Sequence, residues 1–207
     1  MRDSIQRRAG VFQTVVTLLA LAAYLPLLTG CLFKPRTPEP PTGAEIVYLP
    51  RGEVPNILAN LETALKNLDI AGYDDAIGEN FVYLPDSQTK NDYPAVDWAN
   101  WDREQELAFA GNMFDNISAL QANLRDTDIR VDIGSGTEVE WEVIYLLEQT
   151  SSDGSVTKYR GGVEIIFRQI GSFWYIDSWE DLQGEPDPDT GAALTSMGGL
   201  RGAFASK

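Results

Sequence analysis

The sequence predicts an α+β domain, with helices gathered ahead of long antiparallel strands. Two changes in pattern carry this. Apolar residues recur at helical spacing near residues 54–68 and again near 103–117. After residue 118 the apolar period switches to two and holds over three long segments. Runs of helices followed by runs of strands are the α+β order. At 43% apolar residues the chain has enough material for a core.

The elements follow in order. Pro55 suits a first helical turn, and Ile57, Leu58, Leu61, Ala64, Leu65 and Leu68 then line one side of a helix. Asp69 can cap a short second helix, "IAGYDDAI", with Gly78 as its end. "NFVYLP" reads as a strand that stops at proline. Residues 86–101, "DSQTKNDYPAVDWANW", read as a polar, aromatic loop. Asp102 can cap a third helix whose stripe is Leu107, Phe109, Ala110, Met113, Phe114 and Ile117. "ALQANLRDTDIRVDI" holds one or two short strands. In the next strand Val139, Trp141, Val143, Tyr145 and Leu147 share a face. "SSDGS" turns the chain into a strand whose inner face is Tyr159, Val163, Ile165 and Phe167, with Gly161-Gly162 marking a bulge or bend. "GS" turns it again into "FWYIDSWEDL". The remainder, residues 184–207, starts as a flexible acidic linker. Its end, "LTSMGGLRGAF", can dock as a short helix or strand, although adjacent glycines weaken a helix.

Two helices and a strand ("NILANLETALKNLDIAGYDDAIGENFVY"), a third helix ("WDREQELAFAGNMF") and a last hairpin ("IIFRQIGSFWYIDSWEDL") stand in a telling order. This order resembles the nuclear transport factor 2-like, or SnoaL-like, cone fold over residues 53–183. The resemblance implies a cone-shaped α+β barrel, with N-terminal helices packed on a strongly bent antiparallel sheet around a conical pocket. It also implies that the outer sheet face can form a homodimer. Relatives include isomerases, small dehydratases and proteins that only bind, so the fold does not decide the function.

The N-terminus has its own signature. Arg2, Arg7 and Arg8 precede a stretch without charge from Ala9 to Phe33. Within it lies the apolar run "VVTLLALAAYLPLL". A basic start, an apolar middle and small residues at the end describe a secretory signal. Leu28-Thr29-Gly30-Cys31 resembles the lipobox of bacterial lipoproteins, which implies cleavage before Cys31 and acylation of its thiol. The alternative is a membrane-spanning anchor, for which ~20 apolar residues suffice; Pro26 and Gly30 interrupt it. The resulting division is a lipoprotein signal peptide (1–30), a Pro-rich tether (31–44), the cone-fold domain (45–183) and an acidic, Gly-rich tail (184–207). The expected location is the cell envelope, lipid-anchored through Cys31. Leu32 after the cysteine favours, by family habit, the outer membrane facing the periplasm or cell surface.

Composition excludes several function classes. The chain has no histidine and one cysteine. That removes imidazole-based nucleophilic catalysis, disulfides and Cys/His metal centres. The formal charge is −15, with 31 acidic and 16 basic residues. Nucleic acid is therefore not an expected partner. No cofactor or metal is expected either.

An isomerase- or lyase-like enzyme on this fold would need an aspartate base and tyrosine donors. Candidates are Tyr73, Tyr83, Tyr145, Tyr159, Tyr175, Asp177 and Glu180. Asp177 is the catalytic candidate, since burial in an aromatic strand would raise its pKa. Alternatively it faces solvent or pairs with Arg168. Tyr73, Trp98, Trp101, Trp141, Tyr145, Tyr159 and Phe167 are candidate pocket-lining residues; the tryptophans serve equally as core. Asp92, Tyr93 and Asp97 lie near a possible pocket rim, but their spacing matches no metal-binding loop. The expected function is membrane-anchored, non-catalytic binding of a small ligand or partner protein. The alternatives are the Asp/Tyr enzyme and a structural envelope protein.

Overall fold

Helix α1, Val54–Asn67, buries Ile57, Leu61, Ala64 and Leu65 along one side and has proline in its first turn. Its residues belong to a computed structural model that describes residues 45–206. Cys31, the lipobox and the tether lie outside the described residues. Helix α2, Ile70–Ala76, begins where the Asp69 carboxylate accepts the amide of Ala71. It runs directly into strand β1, Ile77–Leu84. Gly78 therefore sits inside β1 and does not end a helix. A Cβ there would come within 3.1 Å of the Ile176 carbonyl, so glycine permits the close approach of the strand that carries Ile176.

Residues 86–101 are more ordered than a polar loop. Asp86 caps a one-and-a-half-turn helix α3, Ser87–Asp92, and Trp98–Asn100 form a 3₁₀ turn. Short side-chain caps outweigh the weak propensity of this stretch. Helix α4, Arg103–Asn116, is capped by Asp102 as expected, and Gln105 reciprocates to complete a capping box.

Four long strands follow: β2, Ile117–Asp132; β3, Glu138–Ser151; β4, Val156–Ile170; and β5, Phe173–Gly184. The sheet order is β1-β5-β4-β3-β2. The β2–β5 meander is antiparallel as expected, but β1 joins β5 in parallel, so the sheet is mixed. The crossover through α3, α4 and three strands makes this possible. The segment expected to hold one or two short strands is one strand, bent where Asp128 takes a positive φ of 65°. The Gly161-Gly162 irregularity exists, between Gly161 and Val163 against β5. A Cβ at Gly161 would meet the Tyr145 hydroxyl at 2.8 Å.

One sheet face is apolar and buried. Val143, Tyr145, Leu147, Val163, Ile165, Phe167, Ile176 and Trp179 lie at 0–1% exposure against α1 and α4. In residues 184–206 the start expected as a flexible linker is tied to the sheet, and the end docks as a short helix, one of the two forms expected. The chain pairs Tyr159 with Thr195 and Pro186 with Ala193. It then forms helix α5, Met197–Ala205, whose Met197, Gly198, Gly199, Arg201 and Gly202 are buried. The glycines that argue against an isolated helix allow this one to dock. A Cβ at Gly198 would meet Tyr83 at 2.7 Å, and one at Gly202 would strike the Tyr93 ring at 2.3 Å. Packing outweighs propensity here. Among the described residues no helix is long and apolar enough to cross a membrane.

Candidate functional site

The interior holds a polar cluster built from both ends of the domain. Glu106 lies on the buried stripe of α4, and Arg201 lies on the inward side of α5; both are fully buried. The guanidinium grips the carboxylate with two hydrogen bonds, Nε to Oε2 at 2.9 Å and Nη2 to Oε1 at 2.7 Å. Tyr73 donates to Oε1 at 2.6 Å and Trp101 Nε1 to Oε2 at 2.9 Å. A second carboxylate, Asp181 of β5, accepts Tyr83 Oη at 2.7 Å and Trp179 Nε1 at 2.8 Å. Arg201 Nη1 stands 3.6 Å from Asp181 Oδ2 and makes no hydrogen bond among the described residues. The guanidinium carbon is 4.2 Å from the Tyr83 ring centre, 5.2 Å from Trp179 and 5.3 Å from Phe109.

Two more contacts fix α5. Asp86 accepts the Ser196 hydroxyl at 2.7 Å, and the Met197 amide donates to Tyr145 Oη at 2.8 Å. These use a helix-terminal donor that would otherwise be orphaned in the interior. Farther out, Lys158 lies 3.3 Å from Asp187, and Arg160 pairs with Glu185 at 3.0 Å.

The electrostatics divide the two carboxylates. Burial pushes Glu106 up, but Arg201, Tyr73 and Trp101 outweigh it and hold the group below its ordinary value. Burial raises Asp181 to about 6, against the pull of Arg201, Trp179 and Tyr83. Burial also pushes Tyr73, Tyr83 and Tyr145 far above the ordinary tyrosine value. Each oxygen of Glu106 already accepts two donors, and each of Asp181 accepts one. The Tyr73 and Tyr83 phenols are fixed as neutral donors, and the Tyr145 hydroxyl accepts the Met197 amide. Both carboxylates are buried and face the Arg201 guanidinium.

The sequence candidates fall into three places. Tyr73, Tyr83, Trp101 and Tyr145 belong to the cluster. Trp98 stacks on Trp101 at 5.3 Å and is half-buried; Trp141 meets Phe167 edge-on at 5.6 Å deeper in the core. Trp141 also borders an open groove of about 580 Å³ with Leu58, Glu62 and Arg130. Tyr159 is half-buried beside the strand-like segment at Thr195. Asp177 lies outside the cluster. Its Oδ2 meets Arg168 Nε at 2.8 Å, the pairing weighed against a catalytic role. Burial raises its pKa while Arg168 opposes. Tyr175 lies under Arg51 at 4.9 Å, and Glu180 is exposed. Asp97 is engaged by Asn100 at 2.7 Å and Asp92 is exposed. Among the described residues no three acidic side chains gather to hold a metal.

The site residues that sequence reasoning missed are Glu106, Asp181, Asp86 and Arg201. Glu106 had a usable signal: it stands one helical repeat before Phe109, Ala110 and Met113, on the apolar stripe.

No family model and no curated protein matches the chain. Solved structures do. A candidate scytalone dehydratase from Novosphingobium aromaticivorans superposes with a TM-score of 0.53, at 9% identity, over 69% of this chain and 89% of that one. A conserved protein from Planctomyces limnophilus gives 0.51, at 14% identity, over 61% and 90%. The fold is the nuclear transport factor 2-like, or SnoaL-like, cone. Its interior, where the resemblance placed a pocket, is occupied here by the chain's own C-terminal helix.

Proposed function

We propose that this is a membrane-tethered, extracytoplasmic binding domain that works without catalysis, on a partner protein rather than a small substrate in the cone. The observation that carries it is Arg201, fully buried in the cone and bidentate on Glu106. Both carboxylates are buried, each oxygen of Glu106 already accepts two donors and each of Asp181 one, which leaves a reacting molecule little access to a general base. This weighs against the dehydratase- or isomerase-like reading.

The outer sheet face is the surface left to work. Glu142, Glu164 and Glu180 stand directly opposite one another on β3, β4 and β5. Burial, then Glu140, Glu180 and Glu142, raise the pKa of Glu164. Like charges in cross-strand register destabilise a sheet. The row favours a basic partner over a second copy of this chain, which would bring the same glutamates to the contact. The tether and anchor rest on the Leu28-Thr29-Gly30-Cys31 motif.

Two measurements test this. Residues 31–207 are screened against enolisable ketones and phenolic alcohols, with product detection and thermal shift. No turnover and no saturable shift are expected; turnover abolished by a single carboxylate substitution would overturn the reading. Separately, Cys31→Ser is expected to move most of the protein from the membrane fraction to the soluble fraction or into unprocessed precursor. Unchanged fractionation with an unmodified cysteine, by mass spectrometry, would rule out the lipid anchor.

A further inference from the structure

We infer that the cone is a guanidinium-binding site, that Arg201 is its occupant in cis, and that it takes an external guanidinium, free or on an arginine side chain, when α5 lifts. The site has the chemistry of a receptor. Two carboxylates from separate elements, Glu106 on α4 and Asp181 on β5, face one cation. Tyr73 and Trp101 hold Glu106 in the orientation that receives both arms of a guanidinium fork. Tyr83, Trp179 and Phe109 supply three aromatic faces within 5.3 Å of the guanidinium carbon. A planar fork matches this set and a point-like ammonium does not.

The occupant is the element best suited to leave. Helix α5 has only nine residues, three of them glycine. Glycine is a poor helix former, so α5 is helical because it is docked. Its hold on the cone joins polar contacts, Arg201 on Glu106, Ser196 on Asp86 and the Met197 amide on Tyr145, to apolar ones, the buried Met197 and Phe204 edge-on to Phe109 at 5.9 Å. A buried ion pair specifies a position more than it stabilises one. The fit is also incomplete, since Nη1 is left without a hydrogen bond 3.6 Å from Asp181. A tethered competitor of this kind reduces the apparent affinity for an external ligand by the fraction of open molecules.

This inference goes beyond the outer-face reading: it adds a second site, inside the cone, for a guanidinium. The two fail separately. Turnover would sink the non-catalytic reading and leave a guanidinium site intact. A cone that never opens would end this inference and leave the outer sheet face as a docking surface.

The test uses residues 31–207 with Arg201→Ala, and Arg201→Lys in case the alanine variant does not fold. The probes are methylguanidinium, methylammonium, a synthetic peptide of residues 195–205, and that peptide with alanine in place of its arginine. In the wild type, α5 amides are expected to exchange at least tenfold faster than those of β3 and β4. In either variant, methylguanidinium should raise Tm saturably and more than methylammonium, with no such shift in the wild type. The arginine peptide should bind the variant at least tenfold tighter than the alanine peptide, and methylguanidinium should compete with it. Methylguanidinium binding without peptide binding would assign the site to free guanidinium ligands. Equal binding of both peptides with no methylguanidinium effect, or α5 amides exchanging as slowly as β3 and β4, would overturn the inference.

Discussion

Arg201→Ala is expected to lower the unfolding free energy by about 3–5 kcal/mol, the usual range for breaking a buried ion pair from one side. The reason lies less in the lost attraction than in what stays behind. Glu106 remains fully buried without the guanidinium that keeps it ionised, and two donors still point at it. It must then take up a proton or admit water. The packing of the guanidinium on Tyr83, Trp179 and Phe109 is lost as well. For a domain of this size the Tm should fall by roughly 10 °C. Replacing both partners, as Glu106→Gln with Arg201→Met, should recover more than half of the loss, because no charge is then stranded. Urea titrations of Glu106→Gln, Arg201→Met and the double variant give the cycle. A loss below about 1 kcal/mol for Arg201→Ala would mean that α5 is not seated in the cone.

The strands and the first and third helices were legible because one periodic signal dominates each. Val139 to Leu147 alternate without interruption, and β3 follows that alternation. Asp177 shows where alternation misleads. Counting by twos from Trp179 places it inward. A register irregularity opposite Ile166 and Phe167 instead makes Ile176 and Trp179 both core residues and leaves Asp177 between them, facing Arg168. The parallel pairing of β1 with β5 could not be read locally, since it depends on partners about 95 residues apart. The cone's centre was hidden for the same reason. Glu106 looks like one more charge in "REQE", and Arg201 like one charge in a glycine-rich tail. Each violates its local pattern, and only the fold shows that the two violations satisfy each other.

Acidification from pH 7 to about 4.5 should stabilise the domain through Asp181, opposite to the usual behaviour of a paired carboxylate. Burial raises this group to about 6 from an ordinary value of 3.8. The folded state therefore binds the proton more tightly than the unfolded chain. The stabilisation is fully present below about pH 4 and is lost as pH rises through 6. Two units of difference correspond to about 3 kcal/mol, at 1.36 kcal/mol per unit. The group is ringed by Tyr83 of β1, Trp179 of its own strand, Arg201 of α5 and the like-charged Asp86 ahead of α3. Protonation relieves the repulsion from Asp86 and the burial penalty together. It weakens the 3.6 Å contact with Arg201, which keeps both bonds to Glu106, and the bonds from Tyr83 and Trp179, whose combined pull the burial penalty outweighs. Glu106 opposes the trend only at lower pH, since Arg201 holds it below the ordinary range. The 31 acidic residues add a general relief of self-repulsion on acidification, so the comparison that isolates Asp181 is Asp181→Asn. In that variant the amide can accept from Trp179 and donate to Tyr83, and it carries no charge to titrate. Urea midpoints between pH 4.5 and 7.5 should rise toward acid in the wild type, with most of that slope missing in Asp181→Asn. Equal slopes would place the proton uptake elsewhere, and would mean that Arg201 serves both carboxylates as ionised partners across this range.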